Sequence, residues 1–418
     1  MTATDTQIVA LVGGRLIDGT GGEPVADAIV LIAGDEIKQA GPAAQVPVPA
    51  GAMVIDVRGK TVLPGLIDGH LHLLGIKSMN QVTWLVDEPH VRAIRAAKDA
   101  WRCLDAGYTT IRDAGGMLAI YAKAAIEEGG VPGPRIIASG LALSQTAGHA
   151  DWHFVPVEWN ERVQLGRLAD GVSEVRKAAR EQLREGADML NIMTTGGVMS
   201  EKDQPTSCQY SMEEIRAFVE EARNAGVRSG SHAQGTRGIK NAVLAGVDNI
   251  EHGMYLDDEV IDLMLERGTT LVPTLAIVDS IVKNGRKAGV LEGSVRKAEN
   301  VQAAHIASFK KAYAAGVICG CGTDYLSDPL SPMGANADEI LIYVDKVGLS
   351  PMEAIVCATR NNAIVLGLQD QIGTLEPGKQ ADLIVVDGDP LADISVLRQC
   401  EKILTVYKGG KVMPRMPF

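Results

Sequence analysis

Four of the eight histidines of the chain and one aspartate stand at the ends of short apolar segments that have the length of β-strands. These residues are His70, His72, His232, His252 and Asp324. His70 and His72 are two positions apart, so on a strand their side chains point to the same face. Imidazole and carboxylate groups are ligands of Zn²⁺, Mn²⁺, Co²⁺ and Fe²⁺. The five residues therefore predict a divalent metal site, if the fold brings their strand ends together.

Such a site would perform hydrolysis. A metal with three or four protein ligands leaves room for a water molecule and lowers its pKa from about 15.7 to about 7. Asp324 could take a proton from that water and pass it to a departing amine. The pattern predicts that metal-bound hydroxide attacks a carbonyl carbon and breaks its bond to nitrogen. For each residue taken singly, a satisfied buried histidine or aspartate remains the alternative.

The segments that carry these residues belong to an alternation of short apolar strands and longer helical stretches. Eight repeats over roughly 250 to 300 residues favour a TIM-type (β/α)8 barrel, whose strands all end at one mouth. No glycine fingerprint for dinucleotides follows the first strand. Ser211 and Glu214 form an expected capping box at the start of one helix. The candidate strands lie near 63–70, 109–113, 135–140, 189–193, 229–233, 248–252, 270–276 and 317–323.

The two ends of the chain show a different pattern. Short apolar strands are separated there by turns rich in Gly and Asp, which is typical of antiparallel sheet. We expect residues 1–60 and 368–418 to form one small β-sandwich domain. Residues 61–367 would form the metal-binding barrel, so the whole chain has an α/β architecture.

The composition favours a small-molecule substrate. Of 418 residues, 46% are hydrophobic and 22% charged, as in ordinary globular proteins. The net charge of −12 argues against nucleic acid or an anionic membrane as partner. Met1–Thr6 lack the basic region and apolar run of a signal peptide, and no apolar stretch is long enough to span a bilayer. We expect a cytoplasmic location.

Five motifs together closely resemble the metal-dependent amidohydrolase superfamily: Leu63–His72, His232, Ile250–Gly253, Gly322–Asp324 and Gly373–Lys379. The resemblance runs from about residue 8 to about residue 413. Within the superfamily, the chain is similar to the imidazolonepropionase-like and prolidase-like hydrolases. The resemblance implies a barrel enzyme that cleaves C–N bonds, works with divalent metal and forms a homo-oligomer.

In those relatives a carboxylated lysine at the end of the fourth strand bridges two metal ions, and this chain has Asn191 at that position. Asparagine cannot form a carbamate, so the usual anionic bridge is missing. One ion could be held by a subset of the five residues above, or Asn191 could ligate weakly through its amide oxygen. The resemblance implies one or two ions. Zinc is the expected metal, with cobalt, manganese and iron as alternatives.

With asparagine at this position, the chain resembles phenylurea hydrolases and molinate hydrolase, which also have asparagine there. This similarity implies an N-aryl urea, carbamate or thiocarbamate substrate and a natural Asn191. A first alternative is a prolidase-like dipeptidase or an N-acyl-amino-acid amidohydrolase of the ochratoxin type, in which Asn191 is an engineered change. A second is a non-catalytic homologue that kept the fold.

Three further residues are candidates for substrate contacts. The resemblance implies that His149 holds or polarises the substrate carbonyl. Tyr210 could donate a hydrogen bond to that carbonyl or its oxyanion, and Arg237 could bind a substrate carboxylate. The alternatives are an exposed loop histidine, a tyrosine on the barrel rim and a solvated arginine at a helix start.

Overall fold

The computed structural model describes residues 7–160 and 165–416. Met1–Thr6, on which the expectation of a missing signal peptide rests, lie outside the described residues. Across the described ranges, no helix combines the length and the apolar composition that a membrane span requires.

The strands are numbered in chain order. They are β1 (Ile8–Leu16), β2 (Val25–Ala33), β3 (Glu36–Pro42), β4 (Met53–Asp56), β5 (Thr61–Pro64), β6 (Leu66–Leu71), β7 (Tyr108–Asp113), β8 (Arg135–Ala138), β9 (Ala142–Ser144), β10 (Gly166–Leu168), β11 (Met189–Met193), β12 (Arg228–Ala233), β13 (Asn249–His252), β14 (Thr270–Val272), β15 (Leu383–Val386), β16 (Ile403–Lys408) and β17 (Lys411–Val412).

The helices are numbered in the same way. They are α1 (Val82–Val86), α2 (Pro89–Asp105), α3 (Met117–Glu127), α4 (Gly171–Glu185), α5 (Met212–Ala225), α6 (Thr236–Ala245), α7 (Asp258–Arg267), α8 (Leu275–Ala288), α9 (Glu292–Ala315), α10 (Asp338–Ile342), α11 (Pro351–Val356) and α12 (Asn362–Leu366). Short π-helical turns continue α10 and α11 at Tyr343–Val347 and Cys357–Asn361.

Strands from both ends of the chain join in one sheet, in the order β17-β16-β15-β5-β1-β2-β3, with β4 also paired to β1. This sheet is mixed, whereas the sequence pattern indicated antiparallel sheet. The reason is that β4 and β5 both run parallel to β1, while β15 runs antiparallel to β5. By its hydrogen bonds β5 (Thr61–Pro64) belongs to this terminal sheet, although the limits expected from the sequence assign it to the barrel.

Gly65 joins the terminal sheet to the barrel. Its N–H donates to the carbonyl of Asp382, and the next residue, Leu66, begins the first barrel strand. A Cβ at position 65 would overlap the side chain of Thr109 on the neighbouring strand β7. Only glycine therefore lets the chain pass directly from one sheet into the other.

The barrel contains two parallel groups, β6-β7-β8 and β10-β9-β11-β12-β13-β14. The segment 318–324 closes the ring between them. It bonds to Leu271 on β14 through the carbonyl of Ile318 and to β6 through two bonds, Gly69 N–H to Cys321 O and Asp324 N–H to His70 O, both 2.7 Å. On the other side, Asp188 N–H bonds to Ala138 O, next to β11. The expected barrel with a small β domain is confirmed.

Two local expectations have different outcomes. The capping box is confirmed, because Ser211 accepts a hydrogen bond from the Glu214 N–H and Glu214 accepts one from the Ser211 N–H. The seventh strand is shorter than the expected 270–276. It ends at Val272, because the chain turns through Thr274, with a left-handed φ of 56°, into helix α8.

Candidate active site

Four of the five residues singled out in the sequence form one compact group of donor atoms. They are His70 on β6, His232 on β12, His252 on β13 and Asp324 at the end of the closing segment 318–324. Each residue contributes one ligand atom, and these four atoms all lie within 4.8 Å of one another. The strands end at the same mouth of the barrel, which is why residues up to 254 positions apart meet there.

The fifth residue, His72, lies at the edge of this group. Its Nδ1–H donates to the carbonyl of Gly115 at 2.9 Å, and its Nε2 is 3.1 Å from Asp324 Oδ1. A carbonyl oxygen can only accept, so the bond to Gly115 puts the hydrogen on Nδ1. The Nε2 atom of His72 is thereby presented to Asp324.

A buried carboxylate orients His70 in a similar way. Glu251 accepts from His70 Nδ1 at 2.7 Å and from Arg112 Nη2 at 2.8 Å, and all three side chains are buried. Burial lowers the pKa of His70, but Glu251 and Asp324 outweigh it and raise that pKa to about 9. A metal ion bound at His70 Nε2 would replace this second proton. Carboxylate partners of this kind fix the ring orientation of metal-binding histidines.

Several buried ligand atoms have no hydrogen-bond partner among the described residues. They are His70 Nε2, His232 Nδ1, His252 Nε2 and Asn191 Oδ1. Leaving such groups unpaired costs about 1–3 kcal/mol each, so their concentration at one point calls for a ligand. Three imidazole nitrogens and a carboxylate are the donor set of a divalent transition-metal ion. The residues present fit such an ion.

Asn191 is fully buried on β11. Its Nδ2 donates to the carbonyl of Ala114 at 2.7 Å, so only Oδ1 is free to act as a ligand atom. This oxygen lies beside Gly230, whose added Cβ would be 3.3 Å from it. Because an amide oxygen is neutral, Asn191 brings no negative charge to the site.

Asp324 and His252 both have left-handed backbones, with φ of 57° and 69°. Such conformations cost about 1–3 kcal/mol in non-glycine residues and concentrate at functional sites. Burial raises the pKa of Asp324, but the neighbouring rings of His70 and His72 outweigh it and hold the pKa well below its usual range. Its side chain is 17% exposed, so the carboxylate also reaches the cavity above the histidines.

The cavity over the cluster has mainly apolar walls. Its polar lining includes His149, His153, Ser200, Asp151 and Glu201. Among the lining residues that the structure describes, none is arginine or lysine. The apolar and aromatic lining residues are Trp84, Ala150, Trp152, Phe154, Leu165, Met193, Met199, Ile277 and Leu326.

The three expected substrate contacts have different positions. His149 lines the cavity, with its ring centroid 5.3 Å from that of His232. Tyr210 does not line it. Its backbone has a left-handed φ of 58°, and its side chain is buried in the hydrophobic core. Arg237 is exposed at the start of α6, outside the cavity lining. The structure therefore brings only the first of these residues to the metal group.

The sequence reasoning missed the residues that support the ligands. Thr274 Oγ1 is 2.6 Å from His252 Nδ1, and the buried His305 on α9 bonds through Nε2 to the carbonyl of His252. Glu251 was recognised only as a member of the motif Ile250–Gly253, without a role of its own. A usable signal was the alternation Asn249, Ile250, Glu251, because two polar residues on one face of a buried strand must find polar partners.

Residues 61–413 match the model of the Amidohydrolase family. Ochratoxinase of Aspergillus niger is 34% identical over 426 residues, which covers 98% of this chain and 87% of the relative. The crystal structure of that ochratoxinase has a TM-score of 0.89 and 33% identity, and the match covers 97% of this chain and 96% of that one.

Two further solved structures are similar. A prolidase in complex with N-methylphosphonate-L-proline has a TM-score of 0.90 and 37% identity, covering 98% of this chain and 100% of that one. Molinate hydrolase has a TM-score of 0.83 and 26% identity, covering 99% and 97%. With the family match over most of its length, this chain belongs to the amidohydrolase family and is a hydrolase that acts on C–N bonds.

Proposed function

We propose that the enzyme hydrolyses a small, neutral and largely apolar N-aryl urea, carbamate or thiocarbamate. The observation that carries this proposal is the cavity wall. Three aromatic side chains, Trp84, Trp152 and Phe154, face a space whose described lining contains no arginine or lysine. A substrate carboxylate in such a space would lie near Asp151 and Glu201 without a cationic partner, which costs free energy.

Each residue of the site has a definite task in this reaction. His70, His232, His252 and Asp324 would hold a divalent ion, with His72 at its edge. When bound, the ion acidifies water and polarises a carbonyl. Asp324 takes a proton from the attacking water and delivers it to the departing nitrogen. The apolar walls exclude other water from the carbonyl and align its aryl substituent.

We propose one ion per chain, with zinc as the first candidate and cobalt, manganese and iron as alternatives. The support is that the four-donor group is a single cluster, and that Asn191 cannot supply an anionic bridge to a second ion. The domain limits 1–60 plus 368–418 and 61–367, the cytoplasmic location and the homo-oligomer expected from the sequence also stay predictions.

The similarity to ochratoxinase and to a prolidase favours a second candidate, an N-acyl amino acid or dipeptide with a free carboxylate. Arg237 is a poor partner for that carboxylate, because it is exposed and outside the cavity lining. The two candidates differ in one chemical group, so a matched pair of substrates separates them.

The test compares N-benzoyl-L-phenylalaninamide with N-benzoyl-L-phenylalanine, which share one scissile amide and differ in the carboxylate. N-phenylcarbamates and N,N′-diarylureas are assayed alongside. Benzoate or aniline release is followed by mass spectrometry on metal-loaded enzyme. We expect kcat/KM to be at least about tenfold higher for the neutral amide, with turnover of the carbamate or urea.

Asp324→Asn protein, prepared identically, is the control for contaminating hydrolases. A higher kcat/KM for N-benzoyl-L-phenylalanine, with no turnover of carbamates and ureas, would contradict the neutral-substrate proposal and support the second candidate.

A further inference from the structure

The ring of His149 is held by a chain of hydrogen bonds that leads away from the group of donor atoms described above. His149 Nδ1 is 2.9 Å from Ser200 Oγ, and the Ser200 hydroxyl in turn donates to the Asp203 carboxylate. A hydroxyl has one hydrogen, and that hydrogen is used toward Asp203. His149 Nδ1 must therefore carry the hydrogen of its bond to Ser200. In the neutral ring, Nε2 is then a hydrogen-bond acceptor.

Asp203 anchors this chain as an ionised carboxylate. Besides Ser200 it accepts from Gln209 Nε2 at 3.1 Å and from the Gly197 N–H at 3.3 Å. Burial raises the pKa of Asp203, but His149, Ser200 and Lys297 outweigh it and lower the pKa. With its side chain only 5% exposed, Asp203 holds a fixed negative charge behind Ser200.

Lys297, on helix α9, fixes the loop that carries Ser200 and Asp203. Its Nζ donates to three backbone carbonyls, of Gly197 at 3.0 Å, Ser200 at 2.7 Å and Asp203 at 2.5 Å. Those bonds use the three hydrogens of the ammonium group, which is also 3.5 Å from Asp203 Oδ1. The Lys297 side chain thus holds the loop in one conformation and places a positive charge next to Asp203. It does not line the cavity itself.

Gly197 completes the arrangement. A Cβ built at this position would overlap three atoms of the His149 ring, so the imidazole lies directly against the Gly197 backbone. Between this backbone and Ser200 the ring has one orientation. Glycine at position 197 therefore leaves the space that the His149 ring occupies.

We propose that Lys297, Asp203 and Ser200 are positioning residues that act through His149 and present its Nε2 as an acceptor to the substrate cavity. This inference rests on the proposed function and narrows it. A neutral acceptor can hold a substrate N–H, as in an N-aryl carbamate or a urea, but cannot donate to the substrate carbonyl. The role of His149 thus differs from the carbonyl contact that the family resemblance implies.

A double-mutant cycle tests whether Lys297 acts through His149. We expect Lys297→Met and His149→Ala each to lower kcat/KM by about 10- to 100-fold, because a misplaced contact costs that much. The double variant should lose no more than His149→Ala alone. Lys297→Arg should recover part of the activity. Lys310→Met, an exposed lysine on the same helix, is the matched control and should equal wild type.

The hydrogen position on His149 is measured directly on enzyme labelled with ¹⁵N-histidine, with His149→Ala identifying the signals. In wild type we expect Nδ1 to carry the hydrogen and Nε2 to be bare. In Ser200→Ala, which keeps Lys297 and the loop, this preference should be lost. That variant also serves if Lys297→Met does not fold.

Two results would overturn the inference. One is a hydrogen on Nε2 of wild-type His149. The other is a double variant whose loss of kcat/KM equals the product of the losses of Lys297→Met and His149→Ala. The spectrum needs no substrate. Failure to hydrolyse neutral substrates would therefore defeat the proposed function while the hydrogen position on His149 is tested separately.

Discussion

Asp324 combines two properties that a proton-carrying carboxylate needs. It stays ionised because His70 and His72 hold its pKa down, and it is partly open to the cavity. Asp324→Asn keeps the shape of the side chain but removes the proton acceptor. We expect kcat to fall by about 10²- to 10⁴-fold, measured under substrate saturation.

Circular dichroism and metal analysis of Asp324→Asn form the control, since Asp324 is also a ligand candidate. Turnover near that of wild type in a folded, metal-loaded variant would rule out the proton-transfer role.

Metal removal should abolish activity and lower stability together. The unpaired nitrogens of His70, His232 and His252 form a binding site only in the folded chain, so a bound ion stabilises the native state. After dialysis against a chelator, we expect no turnover and a lower Tm. Added Zn²⁺, Co²⁺ or Mn²⁺ should restore both, with about one ion per chain by mass spectrometry. Full activity in metal-free protein would contradict the assignment.

Helices α4 and α5 are linked by a carboxylate that is nearly buried. Glu221 on α5 accepts two bonds of 2.8 Å from Arg180 and one of 2.7 Å from Arg176, both on α4. These arginines lower the pKa of Glu221, with the Arg180 hydrogen bond as the largest cause. The linked helices lie behind β11, the strand of Asn191.

Glu221→Gln should lower the free energy of unfolding at pH 7 by about 1–2 kcal/mol. A carboxyl whose pKa is depressed in the folded state stabilises above its unfolded pKa, about 4.3, and this contribution is lost as the pH falls through the folded value. The difference from wild type should therefore shrink below about pH 4.3. Denaturant titrations at several pH values measure it.

Glu220→Gln is the matched control, because Glu220 is 58% exposed and, among the residues that the structure describes, pairs with Arg176 alone. Its effect should stay below about 0.5 kcal/mol. An equal effect of both substitutions, or a pH-independent one for Glu221→Gln, would show that the buried ion pair does not link the helices.

At the scale of the whole molecule, the barrel and the terminal sheet share buried polar contacts. Asp382, which precedes β15, accepts from Arg135 on β8 at 2.7 Å and from the Gly409 N–H at 2.7 Å. Its side chain is 3% exposed. Asp382→Ala should destabilise the protein by about 1–3 kcal/mol, because it leaves Arg135 without its charge partner. Thermal unfolding measures the shift.

Asp387→Ala removes a carboxylate of the same sheet that is 37% exposed, and it should cost less than about 1 kcal/mol. If the Tm of Asp382→Ala is not lower than that of Asp387→Ala, Asp382 does not stabilise the contact between the barrel and the sheet.

The sequence by itself determined the architecture and the group of candidate ligands. His70, His72, His232, His252 and Asp324 could be recognised because strand ends follow from local apolar runs, and parallel barrel strands end at one mouth. The replacement of the usual bridging lysine by Asn191 could also be recognised, because the position is defined by the sequence of a single strand.

Tertiary structure decided the rest, because hydrogen-bond partners and desolvation depend on segments far apart in the chain. Lys297 reaches the carbonyl of Gly197 from 100 positions away. No local pattern indicates that contact. Likewise, the left-handed turn at Tyr210 and the exposed start of α6 at Arg237 keep both side chains out of the cavity. Which ring nitrogen of His149 carries the hydrogen is decided only by the bond between His149 and Ser200, and that bond exists only in the folded loop.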